Sequence, residues 1–134
     1  MDCLFCKIVA GQIPNHTVYE DQFVLAFLDI FPCAKGHTVV IPKQHFTNLW
    51  DMNVESFQLL SAGLRGAAGR VQARLNPDGM NICVNNGPVA GQAVPHVHWH
   101  ILPRYEGDGG GSIHSIIKNP GGASVAELAE LFKK

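Results

Sequence analysis

From Val54 to Leu75 the apolar residues Phe57, Leu60, Leu64, Ala67, Ala68, Val71 and Leu75 recur at helical spacing, with Arg65, Arg70, Gln72 and Arg74 mostly between them. That pattern predicts one long amphipathic helix. Gly63, Gly66 and Gly69 fall inside it and are poor helix formers, so they imply close packing against a neighbouring element. Elsewhere the period shortens. Thr17–Glu20, Phe23–Leu28 and His37–Ile41 are β-prone runs, the first two separated by Asp21-Gln22 as in a hairpin and the third closed by Pro42. Past the turn Asn76-Pro77-Asp78-Gly79, Met80–Asn85 reads as a fourth strand, with Met80, Ile82 and Val84 on one face. A fifth follows at 95–104. Residues 3–10 predict a short helix ended by Gly11, and Ser124 caps a last one over Val125–Phe132. The order of elements predicts an α+β fold built on a five-stranded antiparallel sheet, in one domain over residues 1–134 with its core at about 3–104 and a tail at 105–134.

The fifth strand carries the chemistry. It reads Pro95-His96-Val97-His98-Trp99-His100-Ile101-Leu102-Pro103-Arg104, and strand alternation puts the three histidines on one face and Val97, Trp99 and Ile101 on the other. Imidazoles about 6.5 Å apart along one face are spaced to act together on a phosphate-sized group, one as nucleophile and another as hydrogen-bond donor. A metal-binding patch is the simpler alternative for such a run. The polar, glycine-bearing loop Asn85–Gln92 leads directly into it, a placement that suits substrate contact.

Composition narrows the setting. An apolar fraction of 46% with 16% charged residues is ordinary for a globular domain, and no apolar run reaches the ~20 residues needed to span a bilayer. The N-terminus lacks the regions of a secretory signal, which points to the cytoplasm. A formal charge of −1 with scattered Lys and Arg argues against a DNA or RNA partner. Among the four cysteines only Cys3-x-x-Cys6 has a recognisable spacing, that of half a zinc site, with His45 and His96 as the candidate partners. Spacing alone leaves two reduced thiols on a short helix as an equal reading. Cys33 and Cys83 read as passive, and His16 and His114 as surface histidines.

Taken together, these residues resemble the histidine triad (HIT) superfamily of nucleotide hydrolases and transferases over nearly the whole chain. His96-Val97-His98-Trp99-His100-Ile101-Leu102 fits the family signature His-φ-His-φ-His-φ-φ at every position, φ being apolar. Leu25–Ile30 is similar to the family's ribose-binding strand end, Gly36–Pro42 to its third strand and Asn85–Gln92 to its phosphate loop. The resemblance implies a homodimer that joins two five-stranded sheets, and an adenosine nucleotide or dinucleoside polyphosphate as substrate. It makes His98 the nucleophile on the α-phosphorus, with a covalent nucleotidyl-histidine intermediate. His100, His37, Gln92 and the backbone at Gly91 would hold the phosphoryl oxygens, with Asn85 in the same loop, and Asp29 would accept from the ribose hydroxyls. Leu4, Phe5, Ile8, Phe27 and Ile30 correspond to the base pocket, although plain core packing accounts for them equally well. Bacterial-type members imply a structural zinc on Cys3, Cys6, His45 and His96. One departure stands out: Gly91-Gln92-Ala93 replaces the family's frequent Gly-Gln-Ser or Gly-Gln-Thr, removing a hydroxyl from the leaving-group side. A nucleotide-binding regulatory dimer with little turnover is the alternative function.

Overall fold

A computed structural model describes residues 2–133. The chain runs α1 (Leu4–Val9), β1 (Thr17–Glu20), β2 (Val24–Leu28), β3 (Thr38–Pro42), α2 (Val54–Leu75), β4 (Gly79–Val84), β5 (Trp99–Arg104) and α3 (Val125–Glu130). The strands form one antiparallel sheet in the order β1-β2-β3-β5-β4. Local chemistry sets the boundaries. Asp21 closes the first hairpin by accepting the N–H groups of Phe23 at 2.8 Å and Val24 at 2.7 Å. Asn53 caps the start of α2 through the N–H of Ser56, and Asn76 ends it in the left-handed region at φ 47°.

The central strands β2 and β3 are apolar over Val24–Leu28 and Val39–Pro42 because both of their faces are covered along most of their length. Val24, Ala26 and Val40 face α2, where they pack with Leu60, Ala67 and Val71, and Val97 and Ile101 join them. Leu25, Phe27, Val39 and Ile41 face the other way and pack with Phe5 and Ile8 of α1. The histidines open on that second side. Two of the three helix glycines have the packing role their position implies: a Cβ at Gly63 would collide with Val24, and one at Gly66 would come within 2.6 Å of the Tyr19 ring. Gly69 does not, since a Cβ there would meet only the end of the Arg65 side chain, at 3.2 Å.

Most boundaries fall within one residue of the sequence reading, and two differ by more. The ladder of the fifth strand begins at Trp99, so His96 and His98 precede it. Pro95 has no N–H to donate, His96 N–H turns back to Val94 O at 2.8 Å, and Val97 N–H bonds Phe46 O at 2.7 Å, so the backbone of this stretch joins a loop and no strand ladder. Face alternation nonetheless persists, because Val97 and His98 point to opposite sides. The last helix stops at Glu130, with Leu131 as its cap, short of the expected Phe132. Beyond Arg104 the tail is anchored near its start. The Arg104 guanidinium donates to both Asp108 oxygens, at 2.8 and 2.9 Å, and to Asn81 Oδ1 at 2.7 Å, while residues from Glu106 to Lys133 are exposed. No helix among the described residues is long and apolar enough to cross a membrane.

Candidate active site

Backbone geometry fixes which nitrogen of His98 is free. Its Nδ1–H donates to the carbonyl of His96 at 2.8 Å, which leaves Nε2 with a bare lone pair. Burial lowers the pKa of His98, with the His96 carbonyl and Asp29 acting against that shift, so the ring is neutral near pH 7. A neutral imidazole with one nitrogen anchored and the other exposed to a cavity is a nucleophile held in register.

His37 and His100 form a polarised pair. The backbone N–H of Cys33 donates to His37 Nδ1 at 3.2 Å, so the proton of His37 resides on Nε2 and is donated to His100 Nδ1 at 2.9 Å. His100 must then carry its own proton on Nε2, as a donor. Burial pushes the His100 pKa down to about 4, helped by His98 and His37, so the group donates as a neutral ring. Burial also lowers His37, opposed by Asp29, whose Oδ2 lies 3.5 Å from His37 Nε2. The other Asp29 oxygen accepts the N–H of Phe31 at 2.8 Å, which fixes the carboxylate at the cavity wall.

A cavity of about 400 Å³ collects these groups. The predicted Leu4, Phe5, Ile8, Phe27 and Ile30 form its apolar wall, and Asp29, Asn85, Gly91, His98 and His100 its polar end. His37 stands behind His100, buried and outside the lining. Gln92 is placed differently from the expectation. Its amide is engaged by the loop itself, accepting the Gly87 N–H at 2.8 Å and donating to Thr47 O at 2.6 Å and Val94 O at 3.1 Å, and it does not line the cavity. The residue braces the Asn85–Gln92 loop. Ala93 does line the cavity, so the missing hydroxyl is absent from the site itself. Val39, Val94 and Phe31 are among the lining residues that escaped the sequence reading, as are Leu28 and the segment 13–15; for Val39 the signal was its position two residues after His37. His16 and His114 are exposed and lie outside the cavity.

Beside the cavity, Cys3, Cys6, His45 and His96 converge, with one ligand atom from each within 4.8 Å of the others. His96 Nε2–H donates to Pro42 O at 2.9 Å, which leaves its Nδ1 bare. That Nδ1 lies 3.2 Å from His45 Nδ1 and 3.3 Å from Cys3 Sγ, and His45 Nδ1 lies 3.4 Å from Cys6 Sγ. Ligands of a tetrahedral zinc at ordinary bond lengths stand about 3.3 Å apart for two nitrogens and about 3.6 Å for nitrogen and sulfur. The donor set and its spacing therefore fit zinc, which would hold the N-terminal segment against the triad. Burial and the neighbouring Cys3 raise the Cys6 thiol pKa, and a bound dication would supply the charge that lets both sulfurs ionise. Asp29, His37 and His100 also converge, but there the Cys33 N–H keeps a proton on the His37 nitrogen that faces the other two. That proton arrangement does not suit a cation.

Comparison with known proteins shows the family. The HIT domain family profile matches residues 10–107, and the chain belongs to the HIT family. An uncharacterised HIT-like protein of Methanocaldococcus jannaschii is 52% identical over 107 residues, which span 80% of this chain and 82% of that one. An adenosine 5′-monophosphoramidase of Schizosaccharomyces pombe is 42% identical over 104 residues, 78% of this chain and 75% of its own. Among solved structures, a HIT family protein of Bacillus anthracis superposes with a TM-score of 0.83 at 41% identity, covering 97% of this chain and 92% of the other. A zinc-bound histidine triad family protein of Mycobacterium smegmatis does so with a TM-score of 0.76 at 42% identity, covering 81% and 79%.

Proposed function

We propose that the protein is a nucleotide hydrolase or transferase that attacks the α-phosphate of an adenosine 5′-polyphosphate or phosphoramidate through His98. The observation that carries this reading is the His98 Nδ1–H bond to the His96 carbonyl, which leaves Nε2 free to attack. A bond forms from Nε2 to the α-phosphorus as the bond from phosphorus to the leaving group breaks, and the leaving group departs with the electron pair. Water or another acceptor then attacks phosphorus, and the pair of the P–N bond returns to Nε2. His100, its proton fixed on Nε2 by His37, would hold a phosphoryl oxygen as charge shifts during transfer. Asp29 would accept from the ribose and the apolar wall would take the base. Zinc on Cys3, Cys6, His45 and His96 would be structural, all four positions being filled by the protein. The functional unit is proposed as a homodimer, and β4, an edge strand with one side unpaired, is available for joining the two sheets.

Acid-quenched intact-mass spectrometry with an adenosine polyphosphate or phosphoramidate tests this mechanism. Wild type should gain one nucleotidyl mass and His98→Ala none; an adduct that persists in the variant would sink the assignment. Ala93 at the leaving-group side favours a second reading, a nucleotide-binding regulatory dimer with little turnover. That reading predicts adenosine monophosphate binding with neither adduct nor product from any substrate.

A further inference from the structure

We propose that the Cys3–Cys6–His45–His96 centre is a positioning device for His98, so that metal occupancy regulates the nucleophile. The inference rests on the covalent reading of the site and adds a control to it. Two independent links join the centre to His98.

The first runs through His96, which presents Nδ1 to the cluster while its own carbonyl accepts the His98 Nδ1–H at 2.8 Å. Its other ring nitrogen is tied to Pro42 O at 2.9 Å. A metal on Nδ1 fixes the ring at both nitrogens, and with it the residue whose carbonyl sets the polarity of His98. No strand ladder shares this task, since β5 begins only at Trp99. The second link runs through α1. Cys3 caps this helix and Cys6 lies within it, on either side of Phe5. The Phe5 ring stands edge-on to His98 with centroids 5.0 Å apart and edge-on to His96 at 5.8 Å. Six residues are too few for a helix to hold itself together, so its seat depends on the burial of Phe5 and Ile8 and on the two sulfurs.

Loss of the metal would slacken both links together. Without a cation the four groups keep only thiol–imidazole and imidazole–imidazole hydrogen bonds at 3.2–3.4 Å, a weaker tie than four bonds to one metal. Released from its acceptor, His98 can place its proton on Nε2, the attacking atom, and the nucleophile is then blocked. The His37–His100 pair is held separately, by Cys33 and by β3 and β5, so the defect would fall on His98.

The test uses the full chain labelled with ¹⁵N-histidine, zinc-loaded and chelated, at one fixed pH, with ring-nitrogen correlations and core amide signals read from the same samples. Substrate-free spectra make the result independent of whether an adduct ever forms. Zinc-loaded protein should show a single His98 form with the proton on Nδ1. Chelated protein should keep the amide signals of β2 and β3 while the two His98 nitrogens move towards an averaged shift. Cys6→Ser should behave as the chelated chain, and His45→Cys, which retains four ligands, as wild type. In parallel, metal removal should slow adduct formation about tenfold or more at saturating substrate. Unchanged His98 signals in the chelated chain would overturn the proposal. So would loss of the β2 and β3 signals along with them, which would make the centre a general prop for the fold. A His98 response to metal with no adduct in any form would instead retain the positioning role and remove the covalent reading.

Discussion

His98 carries its proton on Nδ1 while His37 and His100 carry theirs on Nε2, and each assignment is dictated by a backbone or ring partner. This ordering has a pH signature. All three pKa values are depressed by burial, His100 to about 4, so protonation should set in below the ordinary imidazole value near 6.5. Turnover is expected to stay level as pH falls from about 8 towards 6.5 and to decline below that. A pH–rate profile with its acid limb above pH 6.5 would contradict the neutral-histidine arrangement. Stability should move in the same direction. Between about pH 6.5 and 4 the unfolded chain binds protons that the buried histidines refuse, so the melting temperature should fall across that window as pH is lowered. For Asp29, one oxygen of which already holds the Phe31 N–H, Asp29→Ala should weaken adenosine monophosphate binding by roughly 10- to 100-fold, the range of a lost charged hydrogen bond. Calorimetric titration showing unchanged affinity would remove the ribose assignment.

Among the elements, α2 offers the sharpest test because its glycines are unequal. Gly63→Ala would gain about 1 kcal/mol of helix propensity, yet its methyl would strike Val24 in the centre of the sheet. Overpacking of a close-packed core costs about 1–3 kcal/mol, so the variant should be less stable than wild type. Gly69→Ala meets only a movable arginine end and should be more stable by up to about 1 kcal/mol. Urea melts of the two variants should therefore shift in opposite directions. The boundaries of α2 were legible in the sequence because a continuous apolar period over Val54–Leu75 runs into the turn at Asn76-Pro77. The start of β5 was not, because alternation persists through His96 and His98 although the backbone between them bonds the Phe46 loop, through the Val97 N–H.

For the molecule as a whole, the sheet divides the work. One face binds α2 and supplies the core, and the other carries α1, the histidines and the cavity. The tail belongs to neither. Ile116, Ile117, Val125, Leu131 and Phe132 are each at least 69% exposed, so the tail does not cover its apolar residues within the chain. Truncating the chain after Ile116 should therefore shift the melting temperature of the monomeric form by no more than about 2 °C. A larger loss in scanning calorimetry at concentrations where the chain is monomeric would show that the tail supports the fold.

The sequence by itself determined the period of each element, the Ser124 cap of the last helix, the two faces of the triad and the residue types of both sites. Those features depend on alternation, turn chemistry and ligand identity, which are local. Only the tertiary structure decided which nitrogen of each histidine is free, because that depends on carbonyls and N–H groups brought from His96, Pro42 and Cys33. It alone turned Gln92 inward to brace its loop, and it alone brought His45 and His96 to 3.2 Å across 51 residues of chain. Hydrogen-bond direction and ligand convergence are properties of packing, and no spacing along the chain encodes them.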